Sequence, residues 1–414
     1  MSEPLSLRCV SCNREYRPWA HDYLCPHCGP VAGALDLVYD YRLLSQRLGR
    51  GTFAETRRLS LWRYEALLPV SADYAVPLRA GWTPLYALLD LARELRLEEL
   101  WAKDDTLHPT ASCKDRGTAV AVAAARKLNR PALACASTGN AASSLAGFAA
   151  AAGIPCYIFV PRAAPPAKVA QLVAYGAVVF KVDGTYDQAY ALALEACDRF
   201  GWYNRSDGQN PMIVEGNKTA ALEVGEDLRW ELPDVAVVSA GDGSVVAGIA
   251  KGFRELQRVG LAARVPTVYG VQAEGAAAIA RAFTRFQAGE PILPASAGAK
   301  TIADSICVGE PRDALRAVKA VAETGGGFVT VSDGEIASAV RELARRAGMF
   351  AEPSGAAPLA GLRKLAADGA LAPGARVVLF ITGSGLKDPQ GGLAGVPEPP
   401  VIPPDIAAVE EALE

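Results

Sequence analysis

Histidine is scarce: His21, His27 and His108 are the only three in 414 residues. Two of them fall in a cysteine-rich N-terminal segment, so a Ser-His-Asp hydrolase has no credible set of residues. No G-x-x-x-x-G-K-[ST] phosphate loop occurs. Neither sign of charge dominates, with 42 Lys and Arg against 45 Asp and Glu and a net charge of −3. No field of one sign therefore draws the chain to nucleic acid or to an anionic membrane. Long apolar runs of membrane-span length are missing, and the opening M-S-E-P-L-S-L-R-C has no signal-peptide core. A soluble, cytoplasmic protein with no nucleic-acid or membrane partner is expected. No repeat of fixed period is found. What is present is apolar mass: half the residues are hydrophobic and 21% charged, enough for two or three domains.

The nine cysteines split into two groups. Cys9 and Cys12 (C-V-S-C) and Cys25 and Cys28 (C-P-H-C) form two knuckles separated by twelve residues. Such knuckles turn tightly enough for four thiolates to meet around a tetrahedral zinc, so residues 1–35 read as a zinc ribbon. A unit this small buries little core, and the metal would supply its folding energy. His27 is a possible substitute ligand, but four sulfurs already fill the shell. With no basic cluster, a structural cap is favoured over a nucleic-acid ribbon. Cys113, Cys135, Cys156, Cys197 and Cys307 stand singly in apolar or strand-like surroundings. An odd total without a secretory signal argues against a disulfide framework, and these five read as reduced core residues.

From about residue 36 to 95 the pattern is mainly helical and irregular, ending in G-W-T-P-L (Gly81–Leu85). Strand-like runs then follow at Leu100–Lys103, Leu133–Ala136, Tyr157–Val160, Val178–Val182, Val235–Ser239, Val268–Val271, Phe328–Val331 and Val377–Ile381. Helical stretches such as Thr118–Leu128, Ala141–Ala152 and Val245–Gln257 separate them. Continuous apolar strands alternating with helices predict parallel sheets covered on both faces. The end, P-E-P-P-V-I-P-P (Pro397–Pro404), reads as an extended strap, followed by a short helix begun by Asp405.

Lys114, in H-P-T-A-S-C-K-D-R-G, is predicted in the first turn of a helix. The macrodipole and the open N–H groups there oppose a positive charge, and Arg116 adds to that field. Both effects favour the neutral amine. A neutral amine can form an imine with an aldehyde, the way enzymes carry pyridoxal phosphate. A solvated surface lysine is the alternative. Three motifs follow strand ends, where ligands gather in parallel α/β sheets. In S-T-G-N (Ser137–Asn140) the side chains can cap the next helix, or hold a substrate carboxylate and the cofactor's phenolic oxygen. S-A-G-D-G-S (Ser239–Ser244) offers backbone N–H groups to a phosphate, and the Asp242 side chain is expected to point away. I-T-G-S-G-L-K-D-P (Ile381–Pro389) is a glycine turn, or it sets the Thr382 hydroxyl against a ring nitrogen. A hydroxyl there leaves the pyridine unprotonated, which suits elimination or replacement better than transamination.

From about Gly81 to Pro389 these motifs resemble the fold-type II pyridoxal-phosphate enzymes, the tryptophan synthase β-like class, and most closely the threonine synthases. P-T-A-S-C-K-D-R-G is similar to the family's P-T-G-S-F-K-D-R-G, and A-S-T-G-N-A-A to its asparagine loop. N-P-M-I-V-E-G-N-K-T, T-I-A-D-S-I-C-V-G-E-P, A-E-P-S-G-A-A and T-G-S-G-L-K-D-P also have counterparts. The resemblance implies an α/β protein with two parallel or mixed-sheet domains behind an N-terminal zinc ribbon. Residues 36–110 and 205–395 would form the large cofactor-binding domain, 111–204 the small one and 396–414 a proline-rich tail.

The resemblance also implies pyridoxal 5′-phosphate on Lys114, with Asn140, Gly241, Asp242, Gly243, Ser244 and Thr382 around it. Ser137 and Thr138 would hold the carboxylate of a small amino-acid substrate, and Arg162 and Lys168 its phosphate, unless these two are ordinary solvated charges. Zinc would be structural, on Cys9, Cys12, Cys25 and Cys28, and the chain a homodimer. The implied reaction turns O-phospho-L-homoserine and water into L-threonine and phosphate. Departures are Ala111 and Cys113 before the lysine, the phosphate loop A-G-D-G-S without its asparagines, and Ser384 in the last turn. They leave open a cysteate synthase-like β-replacement enzyme or a serine/threonine dehydratase. A zinc-ribbon nucleic-acid adaptor without catalysis is opposed by the acidic balance and by retention of Lys114, Asn140 and Thr382.

Overall fold

Three sheets organise the described residues. The structure, a computed structural model, describes residues 4–20, 23–54, 56–292, 298–392 and 399–413. His21 and the first two residues of the proline-rich strap lie outside them.

The first sheet joins β1 (Ser6–Cys9), β2 (Glu15–Tyr16) and β3 (Leu35–Val38), all antiparallel, in the order β2-β1-β3. One cysteine knuckle lies between β1 and β2. The other leads into a short helix, Gly29–Ala32, before β3. Sequence pattern missed β3, because four residues are too few to separate alternation from chance.

The remaining strands are β4 (Leu85–Ala87), β5 (Glu99–Asp104), β6 (Leu133–Ala136), β7 (Cys156–Pro161), β8 (Val178–Val182), β9 (Tyr203–Asn204), β10 (Val235–Ser239), β11 (Thr267–Ala273), β12 (Gly327–Val331) and β13 (Arg376–Ile381). Six form one sheet in the order β12-β11-β10-β13-β5-β4, parallel except for β4 at the edge. Four form a wholly parallel sheet, β8-β7-β6-β9.

Strand β10 shows why its sequence, V-A-V-V-S, carries no polar alternation. Ala236 and Val238 pack into the core with Val246, Ile249 and Phe253 of the helix Ser244–Arg258. Val235 and Val237 enter a separate core with Ala356, Leu359 and Ala360 of the helix Pro353–Ala367. Side chains alternate across a strand, so covering both faces requires apolar residues at every position. Each fully buried valine contributes about 1.5–3 kcal/mol.

Two close approaches set the helix Lys114–Lys127 against the helix Pro211–Asn217. A Cβ on Gly216 would lie 2.2 Å from the Arg116 carbonyl oxygen, and one on Gly117 would lie 2.9 Å from Ile213 Cγ2. Bulk at either glycine would force the two helices apart. The start of the same helix is tied to the end of β13. Cys113 N–H donates to the Thr382 carbonyl (2.8 Å), and Ser384 N–H donates to the Ala111 carbonyl (3.0 Å). Ala111 holds φ +64°, a left-handed backbone for which the family pattern has glycine. Among the described residues no helix is long and apolar enough to cross a membrane.

Candidate active site

Where the carboxyl ends of β6, β10 and β13 meet the start of the Lys114 helix, a cavity of about 540 Å³ opens. Lys114, Ser137, Thr138, Asn140, Gly241, Asp242, Gly243, Ser244 and Thr382 all line it. The strand-end rule explains this convergence. One motif follows β6 of the four-stranded sheet, and the other two follow β10 and β13, neighbours in the six-stranded sheet.

Lys114 occupies the first position of its helix, and no side chain caps that N-terminus. Its Nζ lies 2.5 Å from the Asp207 carboxylate, which also accepts a hydrogen bond from Arg205 Nη1 at 2.8 Å. Burial pulls the lysine pKa down, but Asp207 outweighs it and the net shift is upward. Burial likewise opposes the Asp207 charge, yet Arg205 and Lys114 hold that carboxyl at about 2. The expectation of a lysine biased to the neutral form is thus overturned for this pocket. Arg116, counted as part of the depressing field, turns the other way. Its guanidinium bonds to Asp105 (2.8 and 2.7 Å) and Glu223 (2.5 and 2.9 Å), so its charge is neutralised before it reaches Lys114.

The glycine loop after β10 is a cradle with no room for side chains. Gly243 caps the helix Ser244–Arg258 with φ +107°, and a Cβ there would meet Ala317 Cβ and the Asp313 carbonyl at 2.9 Å. On Gly241 it would lie 3.0 Å from Ile306 Cα and the Ser305 carbonyl. At the helix start the Ser244 hydroxyl is buried without a partner among the described residues. Open N–H groups and an orphan hydroxyl at a helix N-terminus suit a phosphate. Asp242 stays in the cavity wall but turns Oδ1 to the Arg312 N–H at 2.6 Å. Burial and the nearby Asp207 push its carboxyl up to about 6.

Asn140 donates to Glu352 at 3.0 Å and to Ser305 Oγ at 3.1 Å. Burial raises the Glu352 pKa even though Ser354, Asn140 and Ser305 all bond to it. The Ser137 hydroxyl accepts from Gly139 N–H at 3.2 Å, a turn that presents the loop at the start of the helix Asn140–Ala152. Thr382 Oγ1 sits 3.3 Å from Ser239 Oγ, at the ends of β13 and β10.

A second cavity of about 240 Å³ shares Thr138, Gly139 and Asn140 with the first. Lys168 lines it and pairs with Asp304 at 2.7 Å. Arg162 lines neither cavity. Its side chain is 75% exposed and lies 3.4 Å from Asp183. Its backbone N–H bonds to Val182 on the edge strand β8, which carries it away from the site.

Sequence reasoning missed Asp207, Arg205, Glu352 and Lys387. Lys387 lines the second cavity, with its Nζ 2.7 Å from Ser143 Oγ and 2.9 Å from Gln171 Oε1. Both partners are neutral, and burial lowers its pKa. Glu352 and Lys387 stand inside motifs that carried the family resemblance, which was the available signal. Asp207 and Arg205 had no such mark.

In the N-terminal unit, Cys9, Cys12, Cys25 and Cys28 bring their sulfurs within 4.8 Å of one another. The Tyr16 hydroxyl lies 3.0 Å from Cys25 Sγ. Four converging thiols are a donor set that fits a tetrahedral metal.

The family model for pyridoxal-phosphate dependent enzymes matches residues 76–383. A threonine synthase of Methanosarcina acetivorans is 36% identical over 408 residues, 98% of either chain. One from Methanocaldococcus jannaschii is 35% identical over 409 residues, 98% of this chain and 99% of its own. Among solved structures, a processed threonine deaminase isoform 2 from Solanum lycopersicum superposes with a TM-score of 0.65 at 21% identity, covering 78% of this chain and 84% of its own. That likeness speaks for the fold alone. A lysine at a helix start, a glycine cradle and a family match that spans both agree: the chain belongs to the pyridoxal-phosphate dependent enzymes.

Proposed function

We propose that the protein is a threonine synthase that converts O-phospho-L-homoserine and water to L-threonine and phosphate. The observation that carries this reading is the Lys114 amine inside a cavity walled by the three strand-end loops, in a chain similar along its whole length to threonine synthases. Pyridoxal phosphate, when bound, supplies an aldehyde for amines and an electron sink that acidifies the substrate carbon protons.

Lys114 would hold the cofactor, and its amine would move protons at the α, β and γ carbons of the substrate. The N–H groups of Gly241, Asp242, Gly243 and Ser244, with the free Ser244 hydroxyl, hold the cofactor phosphate. Asn140 serves its phenolic oxygen and Thr382 its ring nitrogen. Ser137 and Thr138 bind the substrate α-carboxylate at the N-terminus of the helix Asn140–Ala152. Lys168 and Lys387, which both line the second cavity, serve the substrate phosphate; Arg162 has no part in this reading. The four cysteines hold a structural zinc, since four sulfurs leave no position open for water.

The ribbon, expected over 1–35, would run on to Val38, where β3 of its sheet ends; the large domain would follow to 110 and resume over 205–395, with the small domain 111–204 and the tail 396–414. A cytoplasmic homodimer completes the proposal, its size read by sedimentation. A dehydratase or β-replacement enzyme is the second reading, favoured by Asp304, whose carboxylate already pairs with Lys168 at 2.7 Å in the cavity where a substrate phosphate would bind. Phosphate release and threonine formation from phosphohomoserine test the first reading against 2-oxobutyrate or pyruvate formation from threonine or serine. An enzyme that ignores phosphohomoserine yet turns over an unphosphorylated amino acid would overturn it.

A further inference from the structure

We propose that Asp207 is the positioning residue of Lys114: its carboxylate fixes the lysine nitrogen at the cavity wall and balances that nitrogen whenever it is cationic. The proposal rests on Lys114 carrying the cofactor but not on the choice of substrate.

Geometry carries the argument. The two side chains meet at 2.5 Å and are only 16% and 14% exposed, so solvent screens the pair weakly. Asp207 is itself braced. Arg205 bonds to it through Nη1 at 2.8 Å, while Arg205 Nε donates to Thr118 Oγ1 at 3.0 Å. Thr118 lies one turn along the Lys114 helix, so the carboxylate is registered to the element that carries the lysine. The loop behind it is closed by its own amides. Asn204 Oδ1 accepts from Ser206 N–H at 2.9 Å, and Asn204 Nδ2 donates to Gln209 at 3.0 Å.

Other carboxylates of the cavity wall are engaged elsewhere: Asp187 faces Arg312, Asp304 pairs with Lys168, and Glu352 accepts from Asn140 and Ser354. Asp242 is engaged by the Arg312 N–H. Cys113 beside the lysine, Cys135 on β6 and Tyr186 on the helix Tyr186–Phe200 are held neutral by burial, each pushed up to about 12. Burial also raises Tyr190 on that helix, and Arg312 lies over its ring. Arg205 repels Lys114 rather than attracting it. At an uncapped helix N-terminus a cation is opposed by the backbone field. Without Asp207 the nitrogen would lose both its anchor and its counter-charge. Because Arg205 also holds Asp207, the carboxylate would keep its place at the cavity wall with the cofactor bound.

The test uses the full chain stripped of cofactor. Competitive acetylation followed by peptide mass spectrometry reads the protonation midpoint of Lys114 against pH. Asp207→Asn should lower that midpoint by about one to three pH units, and Asp207→Glu should keep it close to wild type. In the cofactor-loaded protein the pH midpoint of the visible absorbance should move the same way. If the asparagine variant does not fold, Asp207→Ser takes its place. An unchanged midpoint in either variant overturns the proposal, as does a glutamate variant indistinguishable from the asparagine one. Borohydride labelling of a different lysine would sink the cofactor assignment while leaving the Asp207–Lys114 titration standing.

Discussion

Replacing Arg116 with methionine should destabilise the fold by about 3–5 kcal/mol, the usual cost of stranding a buried charge. Arg116 is 1% exposed and sits two residues beyond Lys114. Its guanidinium holds Asp105 and Glu223 and also donates to Thr219 Oγ1 and Thr83 Oγ1, each at 3.0 Å. After the substitution Glu223 still has Lys103 at 2.9 Å. Among the described residues Asp105 keeps the Thr83 hydroxyl at 2.8 Å and the nearby His108 ring, whose Nδ1 faces the Asp105 carbonyl at 3.0 Å. Most of the penalty therefore falls on Asp105.

The loss has a pH signature. In the native protein burial alone would raise the Asp105 and Glu223 pKa values, but Arg116 outweighs it and both lie below their ordinary values. Such carboxyls stabilise the fold above their unfolded pKa, and that contribution is lost as pH falls through the folded pKa. With Arg116 gone, burial dominates at Asp105 and its folded pKa rises above the unfolded one. The variant then suffers at neutral pH and recovers as acid protonates the buried group. Denaturant midpoints at pH 8 and pH 5, read by far-ultraviolet circular dichroism, should show the gap to wild type shrinking toward pH 5. Arg116→Lys should restore only part of it, because an ammonium cannot fork to two carboxylates. A loss below about 1 kcal/mol, or one equal at both pH values, would refute the reasoning.

The purified protein should be yellow, and borohydride should leave the pyridoxyl group on Lys114; a label elsewhere, or colour surviving in Lys114→Ala, counts against the assignment. Metal analysis should find a single zinc per chain, lost on replacing Cys25 and Cys28 with serine, with stability falling while cofactor chemistry survives in the folded fraction. Activity that vanished with fold and colour intact would contradict a structural metal. Lys387→Met and Lys168→Ala should each raise KM for phosphohomoserine about ten- to a hundredfold without altering the visible spectrum, and an unmoved KM in both removes them from the phosphate site. Ala111→Gly should stabilise by up to about 1 kcal/mol, because left-handed backbone strains alanine more than glycine's extra chain entropy costs; a less stable variant would show that the φ of +64° carries no strain.

Much of the fold was legible because the strands buried on both faces are apolar throughout. The eight strand-like runs from Leu100–Lys103 to Val377–Ile381 each fall within a strand of one of the two α/β sheets. The missed strands were β1 to β4 and β9, none longer than four residues. Tyr203–Asn204 is a strand only because β6 offers it a ladder. Its own composition says nothing, and the same holds for Leu85–Ala87, paired antiparallel to β5. Short elements are made by their neighbours.

The site divides along the same line. Its loops were legible because a turn of small and hydroxylated residues after an apolar strand is a local pattern, and topology brings such turns to one end of the sheets. Its charge balance was not, since each decisive partner is remote. Asp207 lies 93 positions from Lys114, Glu223 lies 107 from Arg116, and Glu352 lies 212 from Asn140. Reading the lysine from its sequence neighbours gave the wrong sign. The helix field and Arg116 were counted, while the carboxylate touching the nitrogen and the two neutralising Arg116 were invisible. Backbone N–H groups are fixed by secondary structure, so a local motif can locate an anion site. Protonation of a side chain is fixed by whichever charges the fold brings to it, so the state of Lys114 becomes readable only with the Asp207 loop in place.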